Sequence, residues 1–129
     1  MPGPFAILLL AQFNPGPADV LRLEGRCTYS PALVEQAQGA VLVACGEALL
    51  TEDGIAFAAR GFAPSVRFSG AWVGARLDLQ HVTRRGNDEP DDARGTCRLE
   101  FREDEISAIV CSVAAGPRSY LVNFIMPNI

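Results

Sequence analysis

A chain of 129 residues holds one domain with a single core, and at 49% hydrophobic and 20% charged it lies far from the composition of disordered chains. Its formal net charge of −4 argues against nucleic acid as a partner, because displacing counterions from phosphates needs a clustered basic surface. All eleven basic residues are Arg, which excludes Schiff-base, P-loop and general-base chemistry that depends on a lysine amine.

The chain opens with Met1-Pro2-Gly3-Pro4 and an apolar run from Phe5 to Ala11. That run is too short to cross a bilayer as a helix, so no membrane span is expected. It has the length of a signal-peptide core, yet no Lys or Arg precedes it. Three readings stand: a degenerate signal segment, an extra strand, or an apolar arm docked on the domain. Asn14-Pro15-Gly16-Pro17 is a breaker cluster, which divides an N-terminal segment of residues 1–17 from a β domain of residues 18–129.

In the domain, Leu21, Leu23, Cys27 and Tyr29 alternate with Arg22, Glu24, Arg26 and Thr28, the period of a half-buried strand. Ser30 as N-cap, Pro31 as first residue and Gly39 as stop predict a short helix near 31–38. A second strand is expected from Ala40 to Thr51. A turn centred on Asp53-Gly54 leads to a third strand, Ile55 to Arg60. Val66, Phe68, Gly70 and Trp72 share one face of a fourth, and Leu77, Leu79 and His81 share a face of a fifth after the Gly74-Ala75 reversal. Counting from that reversal sets Trp72 opposite Leu77, Gly70 opposite Leu79 and Phe68 opposite His81. Arg84 to Gly95 reads as one long polar loop. Strands over 97–102, 106–113 and 120–124 complete the set. About eight short strands joined by tight turns predict an all-β fold, an antiparallel up-and-down meander, with a small barrel favoured over a sandwich.

Cys27, Cys45, Cys97 and Cys111 are an even number in a short chain and suit two disulfides, which would imply a periplasmic or secreted protein; free thiols would imply a cytoplasmic one. A zinc site is disfavoured, since no pair has C-x-x-C spacing and His81 is the one histidine. If Glu103-Asp104-Glu105 forms a three-residue loop, Leu99 faces Ile109 and Cys97 faces Cys111. A two-residue turn would shift the register by one and break that bridge. Cys27 then pairs with Cys45 by default.

No catalytic constellation is evident, and no cofactor or metal is implied. Any His-based catalysis would run through His81, which reads as a partly buried structural residue. The acids Asp88, Glu89, Asp91 and Asp92 lack calcium-loop spacing. Phe57, Phe68, Trp72, Leu77, His81, Tyr120 and Phe124 either fill the core or line a cavity for one apolar ligand. Arg84, Arg85 and Arg118 are candidates for a contact with an anion or a partner near loop ends.

Gly95-Thr96-Cys97, Ile109-Val110-Cys111, Gly116-Pro117-Arg118-Ser119-Tyr120 and Asn123-Phe124, with Arg67-Phe68-Ser69-Gly70-Ala71-Trp72 before them, resemble a group of small exported proteobacterial β proteins of unknown function. The likeness covers about the last two thirds of the chain. It departs at the hairpin, where Glu103-Asp104 replaces the usual Asn-Gly. The resemblance implies export and a β fold, with no activity. The expectation is therefore a non-catalytic extracytoplasmic binding or interaction module, inhibitor-like by analogy of architecture. Its partner would be a protein or a small apolar ligand. The alternatives are a carrier holding that ligand inside the barrel, or a structural subunit of an envelope assembly.

Overall fold

A computed structural model describes residues 20–87 and 89–127. The apolar run Phe5–Ala11 and the breaker cluster lie outside these residues, as do the readings attached to them. The chain forms β1 (Leu21–Glu24), β2 (Arg26–Cys27), the helix α1 (Pro31–Gln36), β3 (Val41–Leu42), β4 (Glu47–Thr51) and β5 (Gly54–Ala58). It continues through β6 (Pro64–Val73), β7 (Arg76–Arg84), β8 (Asp91–Asp92), β9 (Arg94–Arg102), β10 (Glu105–Ala115) and β11 (Arg118–Ile125). The fold is all-β and, apart from one short parallel contact, antiparallel, as the alternation of apolar and polar residues predicts.

The sheet runs β1-β4-β5-β6-β7-β9-β10-β11-β2, with β3 beside β11 and β8 beside β7. This is the expected meander, but the strand order does not close on itself, so the barrel favoured from the strand count is not established. Among the described residues there is no second sheet either. The ends nevertheless meet on one segment. β1 lies against β4 and β2 against β11, so the two pieces, separated only by Gly25, reach opposite ends of the order. Single backbone bonds continue across the junction, from the Gly25 N–H to the Gly46 carbonyl at 3.2 Å and from the Cys27 N–H to that of Cys45 at 3.0 Å, while Cys27 also pairs with Phe124.

Several expected elements divide for the same reason, that one segment serves two neighbours. The strand expected over 40–51 is two: Val41 and Leu42 run parallel to Tyr120 and Leu121, whereas β4 pairs with β1 and β5. Thr51 pairs with Gly54, so the β4–β5 turn is Glu52-Asp53, one residue earlier than expected. The helix starts as read, with the Ser30 hydroxyl accepting from the Leu33 N–H at 3.1 Å and Pro31 at its first position, but ends at Gln36. The long loop folds back: Asp91 and Asp92 pair with Val82 and His81, and the Ala93 N–H donates to Gln80 at 2.9 Å.

The largest correction concerns His81. Trp72 pairs with Leu77 and Gly70 with Leu79, but a bulge follows, after which Ser69 pairs with His81 and Phe68 with Val82. The extra residue reverses the alternation, so Val82 enters the core and the His81 side chain stays 45% exposed.

One face of the sheet carries the core. Phe57, Phe68, Phe124, Leu50, Ile55, Leu77, Ile109, Val82 and Val122 are fully buried together with Cys97 and Cys111. The rings of Phe57 and Phe68 meet edge to face at 6.0 Å, as do those of Phe68 and Tyr120, with Phe124 tilted 6.2 Å from Phe57. Both expected disulfides are present. Cys27 joins Cys45 with Cα atoms 5.1 Å apart, and Cys97 joins Cys111, directly opposite it, at 4.0 Å. Two bridges in so short a chain belong to an oxidising, non-cytoplasmic compartment. No described helix is long and apolar enough to cross a membrane.

Candidate functional site

Among the described residues no one concavity gathers the seven candidate ligand-lining residues. Phe57, Phe68, Leu77 and Phe124 are fully buried and packed in the core, where the Phe57 ring meets those of Phe68 and Phe124. Trp72 is half-buried, and its indole N–H donates to the Thr51 carbonyl at 3.0 Å, so it ties β6 to the end of β4. His81 has left this face altogether. Tyr120 combines a core ring with membership of a surface groove.

The structure brings Ser69, His81 and Asp92 to successive positions across β6, β7 and β8. A hydrolytic triad uses these residue types, but the geometry is not that of one. His81 Nε2 lies 3.7 Å from Asp92 Oδ1, beyond hydrogen-bond distance, and no hydrogen bond joins Ser69 to His81 among the described residues. Asp92 is fully exposed, so its carboxylate is solvated and not held against His81. The acidic loop likewise shows no group of three His, Cys, Asp or Glu placed to hold a metal among the described residues.

The three arginines converge instead. Arg84 ends β7, where it pairs with Val66 at the start of β6, and Arg118 begins β11 opposite Ala115. One end of the sheet thus gathers the starts of β6 and β11 and the ends of β7 and β10. Two neighbouring concavities open there and share Arg84. The first is lined by Arg84, Arg118, Asp91, Asp92 and the Ala115-Gly116-Pro117 turn. Arg84 Nη2 is 3.8 Å from Asp91 Oδ2, a loose ion pair.

The second is a groove between β3 and the β6–β7 end. Val41, Val43 and Val66 give it an apolar wall; Ser65, Arg84, Arg85 and Tyr120 give it a polar one. Arg85 is oriented by the preceding corner, where its guanidinium donates to the carbonyls of Ala63 and Pro64. On the same corner Phe62 stands 68% exposed. Arg84 and Arg85 are the groove's only charged residues among those described. Two of its polar atoms, Arg84 Nε and Tyr120 Oη, are buried with no hydrogen-bond partner among the described residues.

Sequence reasoning found Arg84, Arg85, Arg118 and Tyr120 but had no means of grouping them. It missed Val41, Val43 and Ser65, because the parallel contact of β3 with β11 leaves no signature in local alternation. Tyr29 was placed on the strand only as an inward residue. Its hydroxyl holds the segment after β2 to both neighbours, 2.6 Å from the Val43 carbonyl and 3.0 Å from that of Leu121. Burial pushes this phenol above its ordinary value. On the outer face Arg76 donates to Asp78 at 2.7 Å, which holds that carboxyl below its usual range. No protein-family model matches the chain, and no curated protein or solved structure compared with it matches either.

Proposed function

We propose that the protein is a non-catalytic extracytoplasmic binding module, periplasmic or secreted, which engages a protein partner through the arginine-bearing end of its sheet. The observation that carries this reading is the gathering of Arg84, Arg85 and Arg118 around two concavities at one end of a disulfide-braced sheet. Arginine forks and an exposed aromatic such as Phe62 are the side chains that anchor interfaces. The two bridges favour an extracytoplasmic compartment, and the resemblance to small exported proteins agrees with it. A carrier function is less well supported, because ring-against-ring packing of Phe57, Phe68, Tyr120 and Phe124 occupies the face on which a ligand would lie. A role as an envelope subunit docked by the N-terminal arm depends on residues outside those described.

The test is site-specific photocrosslinking in the native host. A photoreactive residue in place of Phe62, Arg85 or Arg118 is expected to trap one discrete adduct. The same residue in place of Val73 or Arg102, at the other ends of β6 and β9, is expected to trap none. Equal labelling from both ends would refute the reading.

A further inference from the structure

The groove beside Tyr120 contains an imbalance of donors over acceptors. Tyr120 is 5% exposed and its hydroxyl has no partner among the described residues; the buried Nε–H of Arg84 has none among them either. A buried donor left unpaired carries its full desolvation cost, so two in one wall mark a place where an acceptor is wanted. The guanidinium can only donate and is always charged, which selects an oxyanion. Asp91 engages Arg84 only loosely, at 3.8 Å through Nη2, and from the neighbouring concavity, so among the described residues no carboxylate pairs with the Nε edge. Apart from Ser65, the remaining wall is apolar, with Val41, Val43 and Val66 beside Leu42 and Ala44, which favours an apolar body next to the charge.

We infer that this groove binds a carboxylate flanked by apolar groups, held by Arg84 and Tyr120 with Arg85 at the rim and its aliphatic portion against the three valines. The inference rests on the reading of this end as the contact surface and names the chemistry that it recognises. A free aliphatic acid and the C-terminus of a polypeptide both present that chemistry.

Binding is measured by calorimetry or amide chemical shifts with four probes: octanoate, octanol, and N-acetyl-leucyl-valine with a free or an amidated C-terminus. Each acid is expected to bind roughly tenfold or more tightly than its neutral analogue, since a charge-assisted bond to a buried donor is at stake. The stronger of the two acids identifies the source. Tyr120→Phe keeps the core ring and is expected to weaken the acid by roughly fivefold or more without lowering the melting temperature. Arg84→Gln is expected to weaken it further. Neutral analogues that bind as well as the acids would overturn the inference, as would wild-type affinity in both variants or no binding of either acid. Crosslinks from Phe62 and Arg85 with no acid binding would remove only the carboxylate assignment. Acid binding without any crosslink would uphold the assignment and remove the protein-contact reading.

Discussion

Single residues in this protein are placed by what their polar atoms require. Glu24 and Glu47 face each other across β1 and β4, a like-charge pairing that would oppose strand association. Each is taken by a different arginine: Glu47, nearly buried, by Arg22 at 2.9 Å, and the more exposed Glu24 by Arg60 at 3.2 Å. Tyr29 shows the same logic with a neutral group. Burial favours the protonated phenol, so folded Tyr29 ionises at a higher pH than the unfolded chain does. Its contribution to stability is therefore complete below about pH 10 and is lost as pH rises through the folded-state value. Denaturant midpoints measured from pH 8 upward should fall steeply in that alkaline window. Tyr29→Phe should flatten the fall, at the expense of lower stability at neutral pH. An equally steep decline in the variant would remove Tyr29 as the cause.

At the scale of elements, the β9–β10 hairpin decides whether Cys97 meets Cys111. The loop is the two-residue turn Glu103-Asp104, which taken alone sets the cysteines on opposite faces. A bulge between Ile106 and Ala108 adds the missing residue, and beyond it Leu99 faces Ile109 and Cys97 faces Cys111. The expected pairing therefore holds by a different route from the three-residue loop. Ser107, the bulged residue, has its hydroxyl engaged with the Glu100 carbonyl at 3.2 Å. The turn itself is costly, since Glu103 and Asp104 have φ of 56° and 81°, values that Asn and Gly adopt with less strain. Replacing Glu103→Asn and Asp104→Gly together should raise stability by about 1 kcal/mol in urea unfolding and leave the bridge intact. Lower stability, or a free thiol on labelling, would mean that these acids do more than form the turn.

On the scale of the whole molecule, the open circuit of strands is fastened at the segment that carries β1 and β2. Gly25 stands at the crossing, where a Cβ would sit 2.5 Å from the Ile125 carbonyl oxygen and 2.8 Å from the Phe124 ring. Only the absence of a side chain lets one segment pass from β4 to β11. The Cys27–Cys45 bridge fastens the same region, and its cysteines are part-exposed, whereas Cys97 and Cys111 are fully buried. Thiol exchange requires access to the sulfur, so a mild reductant under native conditions should open Cys27–Cys45 first. Cys97–Cys111 should stay closed until the sheet unfolds. Its removal as a Cys97→Ala, Cys111→Ala pair should cost about 2–4 kcal/mol, typical of closing a loop of this size. Mass spectrometry of trapped thiols reads the order directly, and simultaneous reduction of both bridges would show that burial does not protect the inner one.

The all-β class, the meander and the helix start at Ser30-Pro31 were legible in the chain, because each follows from alternation or capping chemistry over a few residues; the cysteine count indicated two disulfides, but their connectivity depended on a register that the turn alone does not supply. Leu99, Cys97 and Ile109 announced their face without any knowledge of the turn. The tertiary structure alone decided the rest. His81 left the core because a bulge, which costs one residue and no apolar signal, reversed the pattern after Leu79. The strand order stays open because Leu21–Cys27 breaks into two short ladders at Gly25, with only single backbone bonds continuing toward Gly46 and Cys45 beyond the first. Arg84, Arg85, Arg118 and Tyr120 came together with Val41 and Val43 only through pairings between segments far apart in sequence. Local periodicity encodes which face of a strand is buried; which strand ends meet is set by long-range pairing, and that is where this protein's candidate site lies.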